Sequence, residues 1–233
     1  MASAPAHERA VRRDAVRNQR LVLDAARDVL SEHGTDATME LIASRAGVGI
    51  GTVYRHFPNK DALVDALVAA IYEQLIAAAT DALGHGGIGL DEFLRVLGRS
   101  FAEHRGYARM LVGHTRSESG AKTLRAAIGE LLGHAKAAGE IGADVTLGDI
   151  MTTIWAIRGI VETSGAVAEG AWERHLDIHL AALRANAVAS AQTSITARQL
   201  ARISAAHRVD DVLGRMLSGP ASRRPDRENR AGS

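Results

Sequence analysis

The chain has 233 residues, 46% of them apolar and 24% charged, with 28 Lys+Arg against 27 Asp+Glu and no cysteine. That length builds one moderate domain or two small ones with a real core, and the missing cysteine excludes disulfides, thiolate-held zinc, iron–sulfur clusters and thiol catalysis. The longest charge-free run, Ala185 to Ala197, falls short of the roughly 18 apolar residues of a membrane span, and Met1 to Arg13 lacks the apolar centre of a signal peptide, so the sequence reads as soluble and cytoplasmic with no membrane partner.

Net charge is unevenly placed: 0 over residues 1–65, −3 over 66–188 and +4 over 189–233. Arg9 to Arg20 holds five Arg and one Asp, and Leu41 to Lys60 holds Arg45, Arg55 and Lys60 with no acid, while Asp24, Asp28, Glu32, Asp36 and Glu40 lie between. Such sorting gives a neutral domain one basic face, which is what phosphate contacts require. Arg outnumbers Lys 25 to 3, which points to a GC-rich bacterial genome.

Apolar residues recur at three and four positions throughout and not at two, so the chain reads as all-α. A first helix from Asn18 to Glu32 buries Leu21, Val22, Ala25, Ala26, Val29 and Leu30, preceded by a flexible basic arm over 1–18. Thr38 caps a short helix, Met39 to Ala46, that Gly47-Val48-Gly49 breaks, and a second short helix follows from Ile50 to Phe57. Pro58-Asn59 stops it, and Asn59 caps a long helix carrying Leu63, Leu67, Ala70, Ile71, Leu75 and Ala78 as far as Gly84-His85-Gly86-Gly87. Further helices are expected at Leu90–Glu103, Gly106–His114, Ala121–Ala138, Thr146–Val167, Trp172–Ala187 and 197–217, the last opened by Thr196 and Gln199 at capping-box spacing. The chain thus divides into an N-terminal domain of short helices over 19–65, a helical domain over 66–188, and an extension over 189–233 with an amphipathic helix and a disordered tail.

Two short helices joined by a glycine turn, with a helix before and a long helix after, form a helix-turn-helix. Val53 and Phe57 would face inward against Leu41 or Ile42, Ala43, Ala46 and Val48. The outer side then offers Gly51, Thr52, Tyr54, Arg55 and His56: hydroxyls for phosphate, a guanidinium for guanine or phosphate, and a glycine that allows close approach. Lys60 is placed to reach a flanking phosphate.

Residues 20–67, and within them the run IASRAGVGIGTVYRHFPNKDAL from Ile42 to Leu63, resemble the DNA-binding domain of TetR-family transcriptional regulators. The resemblance implies contacts to a double-stranded operator from Thr38, Met39, Ile50, Gly51, Thr52, Tyr54, Arg55, His56 and Lys60. It departs from the family pattern mildly, at Leu30 and Thr35, where aromatic residues are common. It also implies a second helical domain that dimerises and binds a small-molecule effector, and hence a ligand-responsive homodimeric repressor on a palindromic operator. The apolar helix at 146–167, with the one at 172–187 and the pair Arg158 and Glu162, is the expected dimer face. Phe101, His104, Tyr107, Met110, His114, Met151 and Trp155 are the expected pocket lining.

His175 and His179, four apart, could face one way toward a divalent ion, but His-Leu-Asp-Ile-His lacks the glutamate that follows the first His in zinc proteases. No metal and no cofactor is expected. An enzyme built on these helices would need a nucleophile elbow, a phosphate loop or a carboxylate-rich site, and the sequence has none, so no catalytic residue is assigned.

Overall fold

The computed structural model describes residues 6–105, 118–184 and 192–206, and all secondary structure among them is helical. The elements are α1 (Ala6–His33), α2 (Met39–Ala46), α3 (Ile50–His56), α4 (Lys60–Leu83), α5 (Gly89–Glu103), α6 (Glu118–Ala137), α7 (Leu147–Ser164), α8 (Ala171–Arg184) and α9 (Ala197–Ala206), with 3-10 turns at Gly34–Asp36 and Gly86–Ile88. The expected helix at Gly106–His114 and the chain beyond 206 lie outside the described residues.

The first helix differs from expectation: it begins at Ala6, so the segment expected to be a flexible arm is largely helical. No glycine or proline interrupts Ala6 to His33, and Ala, Arg and Gln are good helix formers. Among residues 14–33, whose burial is described, the buried stripe starts at Val22.

Elsewhere the caps behave as their chemistry dictates. The Thr38 hydroxyl accepts from the Leu41 N–H at 3.2 Å, and Asn59 Oδ1 accepts from the Ala62 N–H at 2.8 Å. Thr146 and Asp149 form a reciprocal capping box at the start of α7. Gly47 closes α2 in the left-handed region at φ 66°, a conformation in which a side chain would be strained.

Helix α4 joins the two halves. By length and composition it could cross a membrane, but one stripe of it, including Leu63, Leu67, Ile71, Leu75 and Ala79, is buried within the molecule. It packs with α1 on one side of the junction and with α5 and α6 on the other. Apolar side chains from α1 to α8 form one continuous cluster. At roughly 25 cal/mol per Å² of apolar surface, each fully buried Leu or Ile there contributes about 1.5–3 kcal/mol.

Helices α7 and α8 make an antiparallel pair against α5. Close packing is built in at Gly98, where a Cβ would lie 2.1 Å from Cζ3 of the buried Trp172. A surface network reinforces it: Asp91 accepts from Arg95 Nε at 2.6 Å and from Arg184 at 2.8 Å, and Arg95 also reaches Asp177 at 2.9 Å.

Candidate nucleic-acid interface

Inside the helix-turn-helix, Val53 is fully buried and Phe57 nearly so, resting on the α1–α2 core. Ile42, not Leu41, is the inward residue of α2: it is 0% exposed, whereas Leu41 is 43% exposed. The Gly47 turn is tied back by the Val48 N–H to the Ala43 carbonyl at 3.1 Å, and α3 opens with the Thr52 and Val53 N–H groups on the Gly49 carbonyl. These bonds close the end of α2 and open α3.

With Val53 and Phe57 turned in, the opposite side of α3 is bare. Ile50, Gly51, Tyr54 and Arg55 are exposed, and Thr52 and His56 are half-buried. A Cβ placed on Gly51 meets nothing within 4 Å, so the protein's own packing does not demand a glycine there. His56 rests against Phe57 with ring centroids 6.2 Å apart.

Two of the three basic groups in this segment are engaged within the chain. Arg45 makes a two-pronged pair with Glu32 at 2.9 and 2.6 Å, which lowers the Glu32 carboxyl and raises the Arg45 guanidinium relative to their ordinary values. Lys60 Nζ donates to the Ala37 carbonyl at 2.6 Å. Met39 is only 6% exposed and belongs to the core, so what it presents outward at the start of α2 is backbone. The Lys60 and Arg45 contacts are specific side-chain reaches across 23 and 13 residues, and no sequence spacing signals them.

The residues expected to line a pocket are only partly brought together. Phe101 and His104 lie at the end of α5 and Met151 and Trp155 on α7, all half-buried on two helices that pack together, while Tyr107, Met110 and His114 lie outside the described residues. The His104 ring nitrogen Nδ1 donates to the Ser100 carbonyl at 2.5 Å, and burial pushes its pKa down. Two concavities among the described residues lie elsewhere. One of about 20 Å³, bounded by Leu90, Ile141 and Leu180, has room for one water. The other is an open groove of about 320 Å³ between α1 and α4, bounded by Leu23, Arg27 and Ala70.

His175 and His179 stack with centroids 6.0 Å apart, and His179 Nε2 is buried with no hydrogen-bond partner among the described residues. Among the described residues no three ligating side chains gather where a metal could be held.

A two-helix reading head braced by α1, continued by one long helix into a separate helical bundle, defines a helix-turn-helix transcriptional regulator. Residues 22–67 match the family described as "Bacterial regulatory proteins, tetR family", and residues 87–185 match "Transcriptional regulator SbtR-like, C-terminal domain". A TetR transcription regulatory protein of Mycobacterium vanbaalenii is 33% identical, with 75% of this chain and 99% of that one covered at a TM-score of 0.60. The TetR transcriptional regulator SCO0520 of Streptomyces coelicolor is 32% identical, with 72% and 99% covered at 0.59. The chain belongs to the TetR family. Among curated relatives, the HTH-type transcriptional regulator SAR0097 of Staphylococcus aureus is 38% identical over 80 residues, which is 33% of this chain and 41% of that protein, so that likeness reaches well under two thirds of the relative's length.

Proposed function

We propose that the protein is a homodimeric, ligand-responsive repressor that reads a palindromic operator through α3. The observation that carries this reading is the division of α3 into a fully buried Val53 side and a bare side holding Gly51, Thr52, Tyr54 and Arg55. In this reading Thr38 and the backbone at Met39 position α2 on one phosphate strand. Ile50, Gly51, Thr52, Tyr54, Arg55 and His56 meet bases and backbone in the major groove, and Lys60 takes a flanking phosphate.

One recognition helix per chain covers one half-site, so two copies related by a two-fold axis are needed for a palindrome. The α7–α8 pair is our candidate for that contact. It carries half-buried Ile160 and 55% exposed Ile178, beside the Arg158–Glu162 pair at 2.6 Å. The domain division follows: 19–65 reads DNA, 66–188 dimerises and takes an effector, and 189–233 is an extension. The effector would sit between α5 and α7, near Phe101, His104, Met151 and Trp155, and act by favouring a spacing of the two reading heads that does not fit the operator.

The test is a binding titration against the DNA immediately upstream of the protein's own coding region at two salt concentrations. Tight, strongly salt-dependent binding to a palindrome supports the reading. Binding no tighter than to random duplex removes that site as the operator. An operator complex that no small molecule releases favours the second reading, a DNA-binding regulator without an effector.

A further inference from the structure

The family match over the helical domain ends at residue 185, yet the chain returns to that domain at 192–206. Three features meet where it returns. The Ser194 hydroxyl lies 2.5 Å from the Thr146 hydroxyl, the same group that caps α7. Gly148, in the first turn of α7, is approached so closely that a Cβ there would lie 2.3 Å from the Ile195 carbonyl oxygen and 2.6 Å from Ser194 Oγ. Directly after, Thr196 and Gln199 cap α9 reciprocally, and Leu200 one turn on is 4% exposed.

We propose that residues 192–200 form an intramolecular clamp seated on the first turn of α7, a seat that Gly148 keeps open. The seat is polar and shape-specific: Thr146 donates its hydroxyl to Asp149 Oδ2 at 2.8 Å, which leaves its oxygen to accept from Ser194. A backbone carbonyl resting where a side chain would stand is a contact only glycine permits.

The clamp sits at the start of α7, on the connection that is tied to the end of α8. Helix α4 runs from Lys60, beside the reading head, to Leu83, where the Gly86–Ile88 turn packs on the end of α6. The α7 cap follows nine residues after α6, and the Gly142 N–H ties that connection to the Leu183 carbonyl near the end of α8 at 2.9 Å. The clamp therefore closes the α7–α8 hairpin at its open end, and it does so whether or not α3 reads DNA.

The test compares two glycines of the same helix in the full-length protein. At Gly159 a Cβ would meet nothing within 4 Å in this chain, so Gly159→Ala adds a methyl to the same helix without touching residues 192–200. If residues 192–200 were a loose appendage, Gly148→Ala would act the same way. The clamp instead requires that Gly148→Ala raise the rate of tryptic cleavage at Arg198 and Arg202 by about tenfold or more, with Gly159→Ala cutting at the wild-type rate. Ser194→Ala, which leaves the backbone approach intact, should raise the rate a few-fold and provides the readout should Gly148→Ala fail to fold. Equal cleavage in the wild type, Gly148→Ala and Ser194→Ala overturns the proposal.

Discussion

Lys60, the first residue of α4, holds the Ala37 carbonyl at 2.6 Å, one residue before the Thr38 cap of α2. The helix that leads to the second bundle is thereby fastened to the start of the reading head. On DNA the same ammonium can exchange the carbonyl for a phosphate. Lys60→Met should then weaken operator binding about tenfold and lower the slope of log affinity against log salt by about 0.9, the value for one lost phosphate contact. A weakened affinity with an unchanged slope would mean that Lys60 acts through Ala37 alone.

Arg55 and Tyr54 are exposed on the side of α3 opposite Val53, so neither supports the fold. Arg55→Ala is expected to cost about 1–3 kcal/mol of operator binding and, if it pairs with a guanine, to relax preference at that base alone. Tyr54→Phe should lose one hydroxyl contact, about 0.5–1.5 kcal/mol. Thermal unfolding of both variants should match the wild type within error. If neither changes the titration, α3 is not the reading helix.

Gly98 and Trp172 show that the bundle has a tight spot where α5 meets α8. A Cβ on Gly98 would stand 2.1 Å from the indole of a residue only 4% exposed. Gly98→Ala should destabilise by about 1–3 kcal/mol through overpacking, despite alanine's better helix propensity. Adding Trp172→Leu should recover part of that loss, which a double-mutant cycle in urea would read as a coupling. Simple additivity would mean that the cost of Gly98→Ala does not arise from the indole.

Much of the reading head is legible in the sequence because its signals are local. Thr38, Gly47 and Asn59 are cap and turn residues whose chemistry allows few alternatives, and the bounds of α2 and α4 follow from them. The inward pair Val53 and Phe57 follows from helical spacing. What sequence does not carry is anything settled by a distant partner: Arg45 on Glu32, Lys60 on Ala37, Trp172 over Gly98, Ile195 over Gly148. Gly148 and Gly98 look like weak points of a helix in sequence, and only the structure shows that each makes room for a neighbour. The start of α1 escapes a sequence reading for another reason: Arg9 to Arg20 is rich in arginine and offers few large apolar residues to mark a helical period.

The histidines predict how stability depends on pH. Burial pushes His104 and His179 below the ordinary histidine value of 6.5; the neighbouring His175 adds to the shift at His179, and Asp149 opposes it. The unfolded chain therefore takes up these protons first as pH falls, so stability is intact above about 6.5 and declines as pH drops below it. His85 works the other way. Its bond to Glu92 at 2.5 Å raises its pKa, so its contribution is complete below 6.5 and fades as pH rises through the raised value. Being on an exposed side chain, it is the smaller effect. Urea unfolding at about pH 5.5, 6.5 and 7.5 should show a clear loss at the lowest pH. His104→Gln combined with His179→Gln should flatten that loss, while His85→Gln should alter only the shallow change above 6.5. A double variant as acid-sensitive as the wild type over this range would place the proton uptake on other groups and show that neither ring is kept neutral by its surroundings.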